Sequence, residues 1–239
     1  MKHHYLVTLA IGILAMSGLK AQENTNLIKL NILPLAVGNV AFEYEKAVQQ
    51  RVSLNATLSL RPKSGLAFRS IWESAIDDPN DILGGAKFGA FSFTPEIRFY
   101  LGNNDAFRGF YFAPFVKYAR YSLSTILSVE EPDYQKKVPI SGALNALTAG
   151  LAIGSQWRLG EHIYLDWRII GPNYGFNNGT FEGKTQLNTD EQEELRKQLE
   201  DFDIDVLDLK KEIDSEGVTL KTKGPFAGIR TALSLGYRF

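Results

Sequence analysis

The most regular stretch of the chain is R51-V-S-L-N-A-T-L-S-L-R61, where Val52, Leu54, Ala56, Leu58 and Leu60 alternate with Arg51, Ser53, Asn55, Thr57, Ser59 and Arg61. Successive side chains of a strand point to opposite faces, so this period of two predicts a strand with one apolar and one polar face. The alternation recurs. Val40, Phe42 and Tyr44 oppose Ala41, Glu43 and Glu45, and Phe91, Phe93, Ile97 and Phe99 oppose Ser92, Thr94, Glu96 and Arg98. Leu147, Leu151, Ile153 and Trp157 oppose Thr148, Gly150, Gly154 and Gln156, and Ile163, Leu165, Trp167 and Ile169 oppose Tyr164, Asp166 and Arg168. The pattern predicts strands over 26–37, 39–49, 51–62, 86–102, 109–126, 143–158, 162–172 and 225–239. In the fifth, Lys117 and Arg120 have opposite parity, so only one of them shares the polar face.

The connections alternate in length. A Gln49-Gln50 turn, Gly102-Asn103-Asn104-Asp105 and Leu159-Gly160-Glu161 are short, whereas 63–85, 127–142 and 173–224 are long; Gly38-Asn39 is a tight exception among the latter. Short turns at one end and long loops at the other, with an even strand number, is the layout of an outer-membrane barrel. The last connection is too long to lack structure of its own. Leu195, Leu199, Phe202, Val206, Leu209 and Ile213 recur at spacings of four and three, which predicts an amphipathic helix from Thr189 to Ser215, within an insertion of about 188–216. Thr189 with Gln192 would form its capping box. The insertion holds twelve acidic and four basic residues.

The polar faces carry Lys29, Glu43, Glu45, Arg61, Glu96, Arg98, Asp166, Arg168 and Arg230. In a soluble lipocalin-like carrier the apolar faces would point inward around a ligand; in a membrane barrel they point to lipid and the charges fill the lumen. Charges on the lipid side would cost roughly 2–4 kcal/mol for each Arg or Lys near the midplane. In water, by contrast, an exposed band of Leu, Ile, Phe and Trp would invite aggregation. The expected fold is therefore all-β, an eight-stranded antiparallel up-and-down transmembrane β-barrel with one amphipathic helix in the last outer loop. The nine charges are expected to form a lumen charge network. Phe99, Phe110, Phe112, Trp157, Tyr237 and Phe239 group at the short-turn end, where an interfacial girdle belongs.

Composition narrows the address and the chemistry. Lys2, His3 and His4 precede an apolar run from Tyr5 to about Leu19, followed by Lys20-Ala21-Gln22. That is the form of a secretory signal peptide, cut after Ala21 to leave a barrel over 22–239, and the run is too short for a spanning helix. The 239 residues suit one domain, and a net charge of -1 gives no basis for nucleic-acid binding. Without cysteine the chain has no disulfide scaffold, thiolate metal site, thiol nucleophile or lipid-modified cysteine.

The final strand, L233-S-L-G-Y-R-F239, resembles the terminal strand of bacterial outer-membrane barrels through Leu233, Leu235, Gly236, Tyr237 and Phe239. The whole resembles the small OmpA/OmpX-type barrels, and N31-I-L-P-L-A-V-G-N-V-A-F-E-Y-E-K46 is similar to uncharacterised barrel families of Bacteroidetes-type bacteria. The resemblance implies recognition of the last strand by the barrel-assembly machinery; with the signal peptide and the face polarity, the expected address is the outer membrane, and the expected partners are its lipid and lipopolysaccharide.

Chemistry is sparse. Some small barrels modify lipid A with a His and a Ser near the outer rim. After signal cleavage this chain keeps only His162, beside a short turn at the other end. D201-F-D-I-D205 with Glu212 is similar to a calcium loop, but Val206 stands where the sharp turn demands Gly. No catalytic set, cofactor or metal site is expected. The leading expectation is a non-enzymatic barrel whose long surface loops serve a structural or partner-binding role, the surface partner being unknown. A narrow small-solute channel, a lipid A-modifying enzyme and, third, a soluble lipocalin-like carrier are the alternatives.

Overall fold

The computed structural model describes residues 25–65, 86–102, 105–130, 135–200 and 208–239. The expected signal peptide, most of the 63–85 connection and the D201–D205 motif lie outside them. The strands are β1 (Asn26–Asn31), β2 (Val40–Gln49), β3 (Val52–Gly65), β4 (Lys87–Tyr100), β5 (Gly109–Glu130), β6 (Gln135–Arg158), β7 (Ile163–Lys184), β8 (Asp208–Asp214) and β9 (Gly217–Arg238), with helix α1 (Thr189–Glu200) between β7 and β8. All pairings are antiparallel, in the order β1-β2-β3-β4-β5-β6-β7-β9-β8, and β1 also pairs with β9. Eight strands thus close a ring, and β8 lies outside it on the free edge of β9.

The ring is lopsided. β1 and β2 have 6 and 10 residues, whereas β5, β6, β7 and β9 have 22, 24, 22 and 22. The first predicted strand stops at Asn31 because Pro34, which has no N–H to donate, starts a 3-10 turn over Leu33–Val37 that ends at Gly38 in the left-handed region (φ 70°). On the far side, β5 and β6 run through most of the expected 127–142 loop, and β7 and β9 through much of 173–224. Both faces of Asn173–Lys184 carry polar residues and glycine, so period two gave no signal there.

The predicted Thr189–Ser215 helix is corrected to a 12-residue helix followed, beyond 201–207, by a strand. Leu209 and Ile213 are four residues apart, a spacing that shares a face in a helix and in a strand alike. The chain chooses a hairpin here. Asp214 Oδ1 accepts from the N–H groups of Glu216 (2.8 Å) and Gly217 (3.1 Å), and Gly217 has φ 141°, open only to glycine without strain. β8 then satisfies backbone groups on the edge of β9. The cap also lies one residue earlier than Thr189. Asn188 Oδ1 accepts the Glu191 N–H and Glu191 Oε2 accepts the Asn188 N–H, both at 2.8 Å. Leu195 and Leu199 pack with Val138, Ile140, Leu187 and Val218 as a small core on the tall wall. The strand members share parity with the lumen-facing residues below them, so α1 lies on the inner side of that wall.

Toward the short-turn end the outward positions of the ring strands are mostly apolar. Leu54, Leu58, Leu60, Phe93, Leu151, Ile153 and Trp167 are all exposed, as are Leu147 (57%), Phe176 (74%) and Ile229 (73%). Lys29, Glu43, Glu45, Glu96, Arg98, Asp166 and Arg168 are buried. This is the reverse of a carrier barrel with an apolar lumen. Among the described residues no helix is long and apolar enough to cross a membrane, which says nothing about strands.

Candidate functional site

The lumen is filled in tiers. At the short-turn end, Phe107 adopts φ 74°, a strained value for a residue with a side chain, in the turn between β4 and β5. Its ring enters the barrel end, edge-on to Tyr164 (6.3 Å) and under the Arg238 guanidinium (5.4 Å). Leu27, Tyr100, Tyr111 and Tyr164 pack around it as a buried floor.

Above the floor lies a charge plug. Four cations, Lys29, Arg98, Arg168 and Arg230, meet four carboxylates, Glu43, Glu45, Glu96 and Asp166. The charges balance, as burial of ions requires. Lys29 Nζ donates to Asp166 (2.6 Å) and Glu45 (2.7 Å). Arg98 is the hub: Nε donates to Glu96 (2.7 Å), and Nη1 to Asp166 (2.6 Å), Glu45 (3.1 Å) and Gln156 (3.2 Å). Its Nη2 reaches Glu43 (3.3 Å), and its guanidinium lies 4.5 Å over the Tyr111 ring. Arg168 Nη2 bridges Glu43 (3.0 Å) and Glu96 (3.1 Å), and Arg230 donates to Glu96 (3.2 Å) over the Phe115 ring (4.3 Å).

Neutral donors complete the set. Tyr100 and Tyr111 donate to Glu45 (2.6 Å) and Asp166 (2.8 Å), Asn55 to Glu43 and Glu96 (both 3.2 Å), and Ser234 to Glu43 (3.1 Å). Ser53 donates to Glu45. Every strand of the ring contributes a side chain, so the plug staples the ring together, including its β1–β9 seam. Small residues make room for large ones. A Cβ on Gly154 would lie 2.5 Å from the Tyr111 ring, and one on Gly236 would lie 2.8 Å from Lys29 Cγ.

Eight of the nine predicted charges meet here. Arg61 does not. It has the inward parity, pairing with Ala90, but stands six residues beyond Asn55, roughly 20 Å along the strand. There it lies 5.1 Å over Phe88 and donates to the Gly65 carbonyl oxygen. Phe88, Tyr121 and Phe226 form an upper stack at centroid distances of 6.0 Å each. β4 and β9 stand four places apart in the eight-strand ring, so this stack crosses the lumen. Lys117 is the inward cation of β5, with Nζ donating to the Tyr121 hydroxyl (3.3 Å), and Arg120 faces out. Sequence reading missed Tyr100 and Tyr111 as plug members. Tyr100 shares the parity of Glu96 and Arg98, which is the signal that would have found it.

The other candidates lie apart. His162 sits at the short-turn end, its Nδ1 donating to the Arg238 carbonyl oxygen (3.0 Å) and its ring stacked on Tyr237 (5.4 Å). Leu235 and Tyr237 face outward, Gly236 faces the lumen beside Lys29, and Phe239 exchanges backbone hydrogen bonds with Asn26 across the seam. Glu212 of β8 pairs with Lys221 (2.8 Å). Among the described residues no group of His, Cys, Asp or Glu is arranged to hold a metal ion.

The sequence matches the model of a family described as "Protein of unknown function (DUF3575)" over residues 6–199. No curated protein matches it. Among solved structures, the translocator domain of autotransporter NalP from Neisseria meningitidis is similar over 98% of this chain and 96% of that chain, at 13% sequence identity and a TM-score of 0.37.

Proposed function

Because the chain belongs to the DUF3575 family of proteins of unknown function, its own geometry has to supply the reading, and we propose that it is a non-enzymatic, non-conducting β-barrel of a Gram-negative outer membrane. The observation that carries this is the inverted polarity of the ring: exposed Leu, Ile, Phe and Trp outside, eight paired charges inside. An exposed apolar band over most of the ring is unstable in water and at home in a bilayer. β2 has 10 residues, within the ~9–11 that cross a membrane at a tilt. The short turns then face the periplasm, and the tall wall with α1 projects outside as the partner-binding or structural surface. In this reading residues 1–21 are a cleaved signal peptide, and Leu233, Leu235, Gly236, Tyr237 and Phe239 form the strand taken up by the assembly machinery. OmpA/OmpX-type is the nearest description of such a barrel by strand number.

The tiers speak against the channel alternative. A solute would have to pass the aromatic stack, the neutral plug and the Phe107 floor in turn. Purified protein in planar lipid bilayers is expected to give no steady open current at neutral pH, and sustained currents of uniform size would overturn the plug reading. His162 offers little support for the lipid-modifying alternative, because it lies at the short-turn end with a backbone oxygen as its partner.

A further inference from the structure

We infer that the outward face just above the apolar band carries a binding site for the phosphorylated headgroup of a membrane lipid, built around Arg120 and Lys63. The inference rests on the membrane reading above. Strand register sorts the outward residues into rows. One row runs Phe93, Tyr118, Leu147, Phe176 across β4, β5, β6 and β7. The next row up runs Phe91, Arg120, Asn145, Asn178, and the one above it Gly89, Ser122, Ala143, Thr180. On three adjacent strands the face changes from apolar to polar at the same step. In a bilayer that step is where hydrocarbon gives way to headgroups.

A groove of about 580 Å³ opens on these polar rows, lined by Arg120, Ser122, Asn145, Asn178 and Thr180 together with Lys63 of β3. Lys63 arrives there through an irregularity. Arg61 pairs with Ala90 and Ser64 with Phe88, so Pro62 and Lys63 together oppose Gly89 in a β-bulge. Strict alternation would have left Lys63 in the lumen. The bulge lays its Cα 3.2 Å from where a Cβ on Gly89 would stand, so glycine is what lets it approach.

The donors are set for an anion. Asn145 Oδ1 accepts from Arg120 Nη1 (3.0 Å) and from the Tyr118 hydroxyl (3.1 Å), which leaves its amide nitrogen as a donor. The rest of the Arg120 fork is a planar donor set suited to phosphate oxygens. Among the described residues the one carboxylate lining the groove is Glu182, which lies 3.8 Å from Lys184. Acyl chains of a lipid held there would run down over Tyr118, Leu147 and Phe176.

The test is native mass spectrometry of the full barrel released from detergent. The protein is loaded with an equal mixture of a diphosphorylated glycolipid and the same lipid after phosphatase treatment. The wild type is expected to prefer the phosphorylated form by about thirtyfold, from two basic residues at the membrane surface. The K63Q/R120Q variant should lose that preference while keeping the folded, heat-modifiable band, and K46Q, at the short-turn end, should keep it. Equal retention of both lipids by the wild type, or an unchanged preference in K63Q/R120Q, would overturn the site. Displacement of the lipid by millimolar inorganic phosphate would also overturn it, as the mark of a soluble-anion site. A chain that gives no folded band in any detergent or lipid would sink the membrane reading itself, a result distinct from a folded barrel without preference.

Discussion

Replacing Arg98 with methionine is expected to lower the unfolding free energy of the barrel by about 3–5 kcal/mol, the usual cost of breaking a buried ion network by removing one partner. Arg98 donates to Glu43, Glu45, Glu96, Asp166 and Gln156, and its side chain is wholly buried. Without it, four carboxylates face three cations in a space closed below by Phe107 and its neighbours. The cost is therefore mainly the unpaired charge, not the lost contacts. That distinction can be measured. Adding Asp166→Asn to Arg98→Met removes the carboxylate closest to the guanidinium and restores the charge balance, so the double variant should recover part of the loss. Urea titration of the folded band in lipid vesicles reads both. A loss under about 1 kcal/mol for Arg98→Met, in the range of exposed pairs, would mean the plug is hydrated and contributes little to the ring.

Leu151→Arg is expected to destabilise the bilayer-inserted barrel by about 2–4 kcal/mol, the range for a basic residue on the lipid face near the midplane. Leu151 is 50% exposed on the outer face of β6, opposite Pro114, between the polar rows above and the short turns below. The effect should depend on depth. Leu159→Arg, in the turn between β6 and β7, should cost only about 0–1 kcal/mol because the charge reaches the interface. A water-soluble barrel would show the opposite trend, with Leu151→Arg neutral or more soluble. Refolding yield and urea midpoint in vesicles decide between them, and equal costs at the two positions would count against a bilayer around this ring.

Period two was enough to find the ring, since each half-buried strand repeats the same contrast between its faces. It also placed Glu43, Glu45, Glu96, Arg98, Asp166 and Arg168 on the inner side, because parity is local. Height was not legible. Arg61 has the right face and the wrong level, and level depends on the register between strands, which no single segment encodes. The same limit hid the partners of Arg98, whose contacts come from β2, β4, β5, β6 and β7. The bulge at Lys63 broke alternation where alternation was the only guide. In the last connection, the four-residue spacing of Leu209 and Ile213 fitted helix and strand equally, and hydrogen bonding to the open edge of β9 decided for the strand. Phe107 gave no sequence signal, because its place under the plug comes from a left-handed backbone in a turn.

Whether lipid or water covers the outside of the ring can be read from its tryptophans. The chain has three tryptophans, of which Trp157 and Trp167 stand outward at 39% and 44% exposure. With Trp72 replaced by phenylalanine, these two are the only indole emitters, and the barrel can be refolded into vesicles whose acyl chains carry bromine. Strong quenching by the brominated chains, with little quenching by iodide in the water, is the predicted result. Emission that ignores the bromine and is quenched by iodide would contradict it.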